Sequence, residues 1–149
     1  MNDFDFLIGN WNVANRRLVQ RLVGSDVWEE FAATATSSAV FEGAGNFDEI
    51  VFPTKGLAGA TLRLLNPASG EWSLYWASSG DGTLLPPVVG RFENGLGTFF
   101  GDDVQDGTPV RVRFIWSRIT PASARWEQAM SVDGEKTWET NWVMEFVRV

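Results

Sequence analysis

The sequence has no histidine and no cysteine among its 149 residues. Without histidine there is no usual general base near neutral pH, no imidazole metal ligand and no proximal haem ligand. Without cysteine there is no disulfide framework and no thiol nucleophile. Tyrosine occurs once, as Tyr75, so acid–base chemistry would fall to carboxylates, lysine, Tyr75 or ordered backbone. Positive charge is scarce as well. Twelve Lys and Arg against 19 Asp and Glu leave a net charge of −7, which disfavours the phosphates of nucleic acid and anionic membranes. No apolar run approaches the ~18 residues of a membrane span, and no basic-then-apolar leader precedes "MNDFDFLIGNW". We expect no nucleic-acid or membrane partner and a cytoplasmic location. The length suits one domain over 1–149.

What is present is aromatic. Eight Trp and 11 Phe need a large apolar interior or an apolar ligand to cover them. Turn signals punctuate the chain: "PASGE" (67–71), "GDGT" (80–83), "ENG" (93–95), "QDGTP" (105–109), "TPASA" (120–124) and "VDGEKT" (132–137). Each carries Gly, Pro, Asp or Asn where a reversal needs positive or preset φ. Between them the residues alternate. Val110, Val112, Phe114 and Trp116 oppose Arg111, Arg113 and Ser117. Trp126, Gln128, Met130 and Val132 oppose Arg125 and Glu127. Trp138, Trp142, Met144 and Phe146 oppose Glu139, Asn141 and Glu145. A period of two in successive segments means antiparallel strands with one wet face.

Ten strands are expected, near 10–21, 27–40, 46–52, 57–66, 71–79, 87–93, 96–102, 109–119, 124–132 and 138–148. No segment after Phe6 has helical periodicity. "DFDFLIG" suits one short helical turn capped by Asp3 or Asp5. A meander of ten strands must close or leave two open edges, which makes the fold an all-β, antiparallel, up-and-down barrel. A β-sandwich is the rival, and the short turns favour the barrel.

The segment "SVDGEKTWETNW" (131–142) resembles the Asp-box hairpin of sialidase propeller blades. It occurs once, whereas propellers repeat it blade after blade, and Glu135 stands where a second Gly is usual. The expected role is structural: Asp133 and Gly134 shape the last hairpin, and Trp138 locks it onto the barrel mouth. "FDFLIGNWNV" contains Gly9-Asn10-Trp11 at the start of the first strand, and the last strand closes with Phe146-Val147-Arg148. Together they resemble the lipocalin-like, or calycin, superfamily, and more specifically a bacterial family of small lipocalin-like proteins of unknown function. The resemblance implies that Trp11 plugs one end of the barrel and that Arg148 stacks over it. Gly9, Trp11 and Arg148 would then be closure residues and not a site. The alternative is that Trp11 is an ordinary core residue.

The alternation places Leu74, Trp76, Phe114, Trp116, Gln128, Met130, Thr140, Trp142 and Met144 inside the barrel. That wall suits a small apolar or aromatic ligand, or it could be a solid core. Of these, Trp76, Phe114, Trp116, Gln128, Met130, Thr140, Trp142 and Met144 are the candidate ligand-binding residues. Gln128 and Thr140 are the inward polar groups that need partners. Arg111, Arg113, Glu127 and Glu145 form an outer ladder in this phase. Shifted by one residue, Arg113 and Glu127 would become an internal acid–base pair. The acidic run "GDDVQDG" (101–107) lacks the spacing of a calcium loop. The two-glycine stretch "FEGAGNFDEI" (41–50) lacks the strand-to-helix setting of a phosphate loop and reads as a turn. The apolar stretch 79–90, with Pro86-Pro87, is either a flap over the mouth or an exposed edge used by a homodimer. No catalytic residue, metal ligand or cofactor is assigned. The leading expectation is a binding module. A lyase or isomerase on the same barrel and a filled barrel acting as an oligomerisation scaffold are the alternatives.

Overall fold

In the structure, a computed structural model describing residues 3–149, the alternating segments form ten strands. They are β1 (Gly9–Leu18), β2 (Trp28–Val40), β3 (Gly45–Phe52), β4 (Leu57–Asn66), β5 (Glu71–Ser78), β6 (Val88–Glu93), β7 (Leu96–Gln105), β8 (Thr108–Ser117), β9 (Ser123–Ser131) and β10 (Glu139–Arg148). Each pairs antiparallel with its neighbours in sequence, and β10 returns to β1 to close the ring. The fold is an up-and-down barrel of the lipocalin and fatty-acid-binding-protein kind. Asn94-Gly95 and Asp106-Gly107 put two consecutive residues at positive φ, which matches the twist of the strands they join. The acidic run at 101–107 is therefore the end of β7 and its hairpin turn. β1 stops at Leu18, short of the expected 21, because the chain folds back with Val19 N–H donating to Val27 O at 3.0 Å.

Closure is concentrated at one end. Trp11 faces Arg148 across the β1–β10 seam, and the guanidinium lies 4.2 Å from the indole centroid. The same guanidinium donates to the carbonyls of Ile8 (2.7 Å), Phe6 (2.5 Å) and Pro121 (2.9 Å). The Trp11 indole is 1% exposed and donates to Leu7 O at 2.8 Å. Gly9 is required here. Its φ is +125°, and an added Cβ would lie 2.5 Å from Arg148 Nη1. A 3-10 turn at Asp5–Leu7 plugs this end. Phe4 packs edge-on against Trp72 and Phe92 at 4.9 and 4.8 Å between centroids. The expected Asp cap is not used: Phe4 takes the cap position without a side-chain bond, and Asp3 accepts from Trp72 Nε1 at 2.9 Å.

The last hairpin corrects two expectations. β9 and β10 slip in register between Thr140 and Trp142, with Asn141 the unpaired extra residue. Such a bulge reverses the facing of everything before it. Asn141, read as outward, is fully buried, and Thr140, read as inward, is half-buried and pairs with Ala129. Trp138 leaves the apolar face as well. It packs on the outer wall, 6.0 Å from the Phe100 ring and under the Arg113 guanidinium at 4.4 Å. Asp133 behaves as the Asp-box comparison suggests. Its carboxylate accepts from Thr137 Oγ1 and from Thr137 N–H at 3.0 Å, and Ser131 Oγ lies at 2.8 Å. Led by the Thr137 hydroxyl, these donors lower its pKa from 3.8 to about 2.

Two outcomes test this end-to-end account. Arg148→Lys keeps the charge but loses the planar fork. It is expected to lower the unfolding free energy by about 2 kcal/mol in urea titrations, and unchanged stability would remove the clamp. Asp133 has a depressed pKa, so its stabilisation is full above the unfolded value and fades as pH falls from about 4 to about 2. Asp133→Ala should therefore melt below the wild type at pH 7, and the gap should shrink by pH 2. A gap independent of pH would mean that the carboxylate is not the source.

Candidate functional site

The inward faces of the strands do not fill the barrel. They leave a cavity of about 110 Å³. Its walls include Trp76, Trp116, Trp126, Trp142 and Phe114, together with Ala35, Ile50, Leu74, Met144 and Phe146. The indoles brace one another edge to face: Trp76 and Trp126 each stand at 85° to Trp142, with centroids 6.4 and 5.6 Å away. Trp76 finds room because Gly59 lies beside it. A Cβ at Gly59 would lie 2.0 Å from the indole ring.

Six of the eight candidate ligand-binding residues line this cavity: Trp76, Phe114, Trp116, Gln128, Trp142 and Met144. Met130 is buried in the apolar core but is not part of the lining, and Thr140 lies outside it through the bulge at Asn141. Gln128 spends its amide N–H on Asn141 Oδ1 at 2.8 Å. The Trp142 indole N–H is likewise taken by Asn15 Oδ1 at 2.9 Å. The outer ladder is where alternation put it. Arg125 bridges Glu127 and Glu145, and Arg111 bridges Asp102 and Glu135. Arg113 stacks on Trp138 outside the barrel, so Arg113 and Glu127 do not form an internal pair.

The charged pair inside the barrel is Asp48 with Arg63. Both line the cavity and are buried, at 8% and 5% exposure. Arg63 Nη1 lies 2.5 Å from Asp48 Oδ2 and donates to Asn46 Oδ1 at 2.9 Å. The guanidinium is 5.3 Å from the Phe4 ring and 5.8 Å from that of Trp116. β3 and β4 hide this pair from a hydrophobicity reading, because each turns apolar residues outward. Phe47 and Val51, on the opposite face of β3 from Asp48, are 46% and 38% exposed. The available signal was Asn46, Asp48, Ile50 and Phe52 sharing one phase, with Thr61 and Arg63 in register opposite Asp48 and Asn46.

Both ends of the barrel are occupied. Below is the Phe4 plug. Above, the link 19–27 crosses the mouth, with Arg21 donating to Gln105 Oε1 at 3.2 Å and Leu22 N–H to Glu139 Oε1 at 2.7 Å. Beside it, Glu29 joins Lys55 and Arg17, and Arg17 lies 5.0 Å from the Trp142 ring. The Lys55 ammonium, more than Arg17, holds the Glu29 carboxyl below its usual range. The cavity reaches the surface at the side. β5 and β6 pair only through Trp72–Leu74 and Val88–Gly90. The segment 79–87 covers the remainder of β5 through an Ala77–Leu84 bridge and a Leu85 N–H bond to Trp76 O at 2.9 Å. Leu85 and Pro86 from this strap are part of the cavity lining.

Among the described residues no group of three or more carboxylates is placed to hold a metal ion, and no helix is long and apolar enough to cross a membrane. Compared with known proteins, the chain matches no family model and no curated protein.

The buried pair makes a stability test. Arg63→Met leaves Asp48 buried without its partner and is expected to cost about 3–5 kcal/mol in urea unfolding. The double variant D48L/R63M removes both charges and should recover most of that loss. A single variant no less stable than the double would show that the two groups are not coupled.

Proposed function

We propose that the barrel is a binding module that takes a small apolar or aromatic molecule into its interior. The observation that carries this reading is the cavity itself: about 110 Å³ walled by four indoles and reaching the surface beneath a strap. Its size selects the ligand. Pockets for drug-sized molecules run to roughly 300–1,000 Å³, whereas an apolar cavity of roughly 150 Å³ admits benzene. A single ring or a short branched chain suits this space, and a long acyl chain does not. Side chains at contact distance on all sides gain dispersion and hydrophobic free energy from such a guest. The resemblance of Gly9, Trp11 and Arg148 to the calycin closure supports the same reading, since those barrels use one plugged end and a ligand-holding interior. A binding role is preferred to catalysis because Arg63 and Asp48, the charged pair at the cavity's inner end, are engaged with each other.

Toluene or indole titrated into the protein should change tryptophan emission saturably, with a Kd on the order of 0.1–1 mM for so few atoms. Ala35→Leu adds bulk inside the cavity. It should weaken that binding at least tenfold while leaving the melting temperature unchanged or raised. Saturable binding to none of a broad panel of single-ring compounds would remove this reading and leave the scaffold.

A further inference from the structure

The cavity presents a carboxylate to whatever enters it. We propose that the barrel selects a neutral single-ring molecule bearing one hydroxyl, a phenol or its like, and that this hydroxyl seats between Asp48 and Thr61. The inference rests on the small-molecule reading above.

Strand register brings the two groups together. Asp48 on β3 and Thr61 on β4 are direct cross-strand partners, which puts their Cβ atoms roughly 5 Å apart on one face. Both line the cavity and are buried, at 8% and 9% exposure. Asp48 meets Arg63 through Oδ2, and no group among the described residues donates to Oδ1. Thr61 makes no hydrogen bond among the described residues. Neither Thr61 Oγ1 nor the Asp48 carboxylate is closed off. The nearby Arg63 Nε and Trp116 Nε1 differ in this: they are sealed and offer a guest nothing. On its other side Thr61 pairs with Trp76, so a ring held by its hydroxyl at this point lies against the indole wall.

The two groups together select the functional group. A carboxylate only accepts, whereas a threonine hydroxyl both donates and accepts. One guest hydroxyl placed between them donates to Asp48 Oδ1 and accepts from Thr61 Oγ1, and so serves both. A nitrile or carbonyl has no hydrogen to give and would set its lone pairs against the carboxylate. A methyl group would leave both unmatched, which costs binding. Charge narrows the choice further. Asp48 and Arg63 balance each other, so an ammonium beside them would leave a net positive charge in the enclosed space, and a carboxylate a net negative one. Asp102 and Asp103 also line the cavity, but the Asp102 side chain is 87% exposed and paired with Arg111, and Asp103 interacts with Arg21.

Four single-ring probes, measured by calorimetry, separate the possibilities: phenol, toluene, benzonitrile and benzylammonium. Phenol and toluene differ only in a hydroxyl for a methyl group. Phenol should bind roughly tenfold tighter than toluene, as a buried hydrogen bond to a charged group allows. Benzonitrile and benzylammonium should bind at least tenfold more weakly than phenol. Thr61→Val, which keeps the side-chain shape, should weaken phenol several-fold and leave toluene unchanged. The charge-free double variant D48L/R63M should reverse the order and bind toluene more tightly than phenol. Toluene bound as tightly as phenol by the wild type, benzonitrile or benzylammonium bound more tightly than phenol, or a phenol preference unchanged in both variants would overturn this inference and leave the apolar binding module standing. Saturable binding of none of the four would overturn both.

Discussion

A ten-stranded meander is a barrel only if its two ends meet. β1 and β10 are the strands furthest apart in sequence, so bringing them together carries the largest loop-closure cost of any pairing in the ring. Left apart, they would be two open edges. Arg148 acts at that seam. It binds the carbonyls of Phe6 in the N-terminal turn, of Ile8 just before β1 and of Pro121 in the β8–β9 link, and it covers the Trp11 indole. One side chain thus ties the N-terminal turn and the β8–β9 link to the closing pair. The bare Cα of Gly9 is what lets it lie there.

That clamp also sets the inner end of the cavity. Arg148 holds the carbonyls of Phe6 and Ile8, which fixes the 3-10 turn. The turn delivers Phe4 into the barrel against Trp72, Phe92 and Phe99. Phe4 in turn lies against the Arg63 guanidinium. Arg63, pinned there, aligns with Asn46 and Asp48. A chain of contacts therefore runs from the closure residue, through the N-terminal turn, to the buried ion pair at the inner end of the cavity. The cavity is thus positioned by packed and hydrogen-bonded parts of the molecule, and under the binding-module proposal that lowers the ordering cost of taking up a guest.

The fold was legible because alternation and turn chemistry agreed along the whole chain. Asn94-Gly95 and Asp106-Gly107 each fixed a hairpin, and every strand boundary falls within three residues of its expected place. The aromatic wall followed from the same phase. Two things did not. The bulge at Asn141 leaves no mark that alternation can detect, so Thr140 and Asn141 were placed on the wrong faces. Asp48 and Arg63 escaped because charges are normally read as outward, and the exposed Phe47 and Val51 on the other face reinforced that error. A buried ion pair is a feature of two strands in register, and a single strand's hydropathy does not encode the partner that makes burial tolerable.

The wall of the barrel is not equally strong all round. Below, aromatic rings pack edge to face. Above, Arg21, Leu22 and the Glu29 cluster bind the rim together. Between β5 and β6 the ladder runs for three residue pairs only. Pro86 and Pro87 carry no N–H, so this part of the strap cannot donate to a longer ladder. The upper half of β5 is instead bridged by Leu84 and Leu85 at two points. Breaking those two contacts frees less packed aromatic surface than withdrawing the Phe4 plug, so the strap is easier to open locally than the plugged end. Leu85 and Pro86 also line the cavity. The segment that interrupts the sheet therefore also closes part of the cavity wall with its own apolar side chains, and under the binding-module proposal it is the part of the wall nearest to an entering guest.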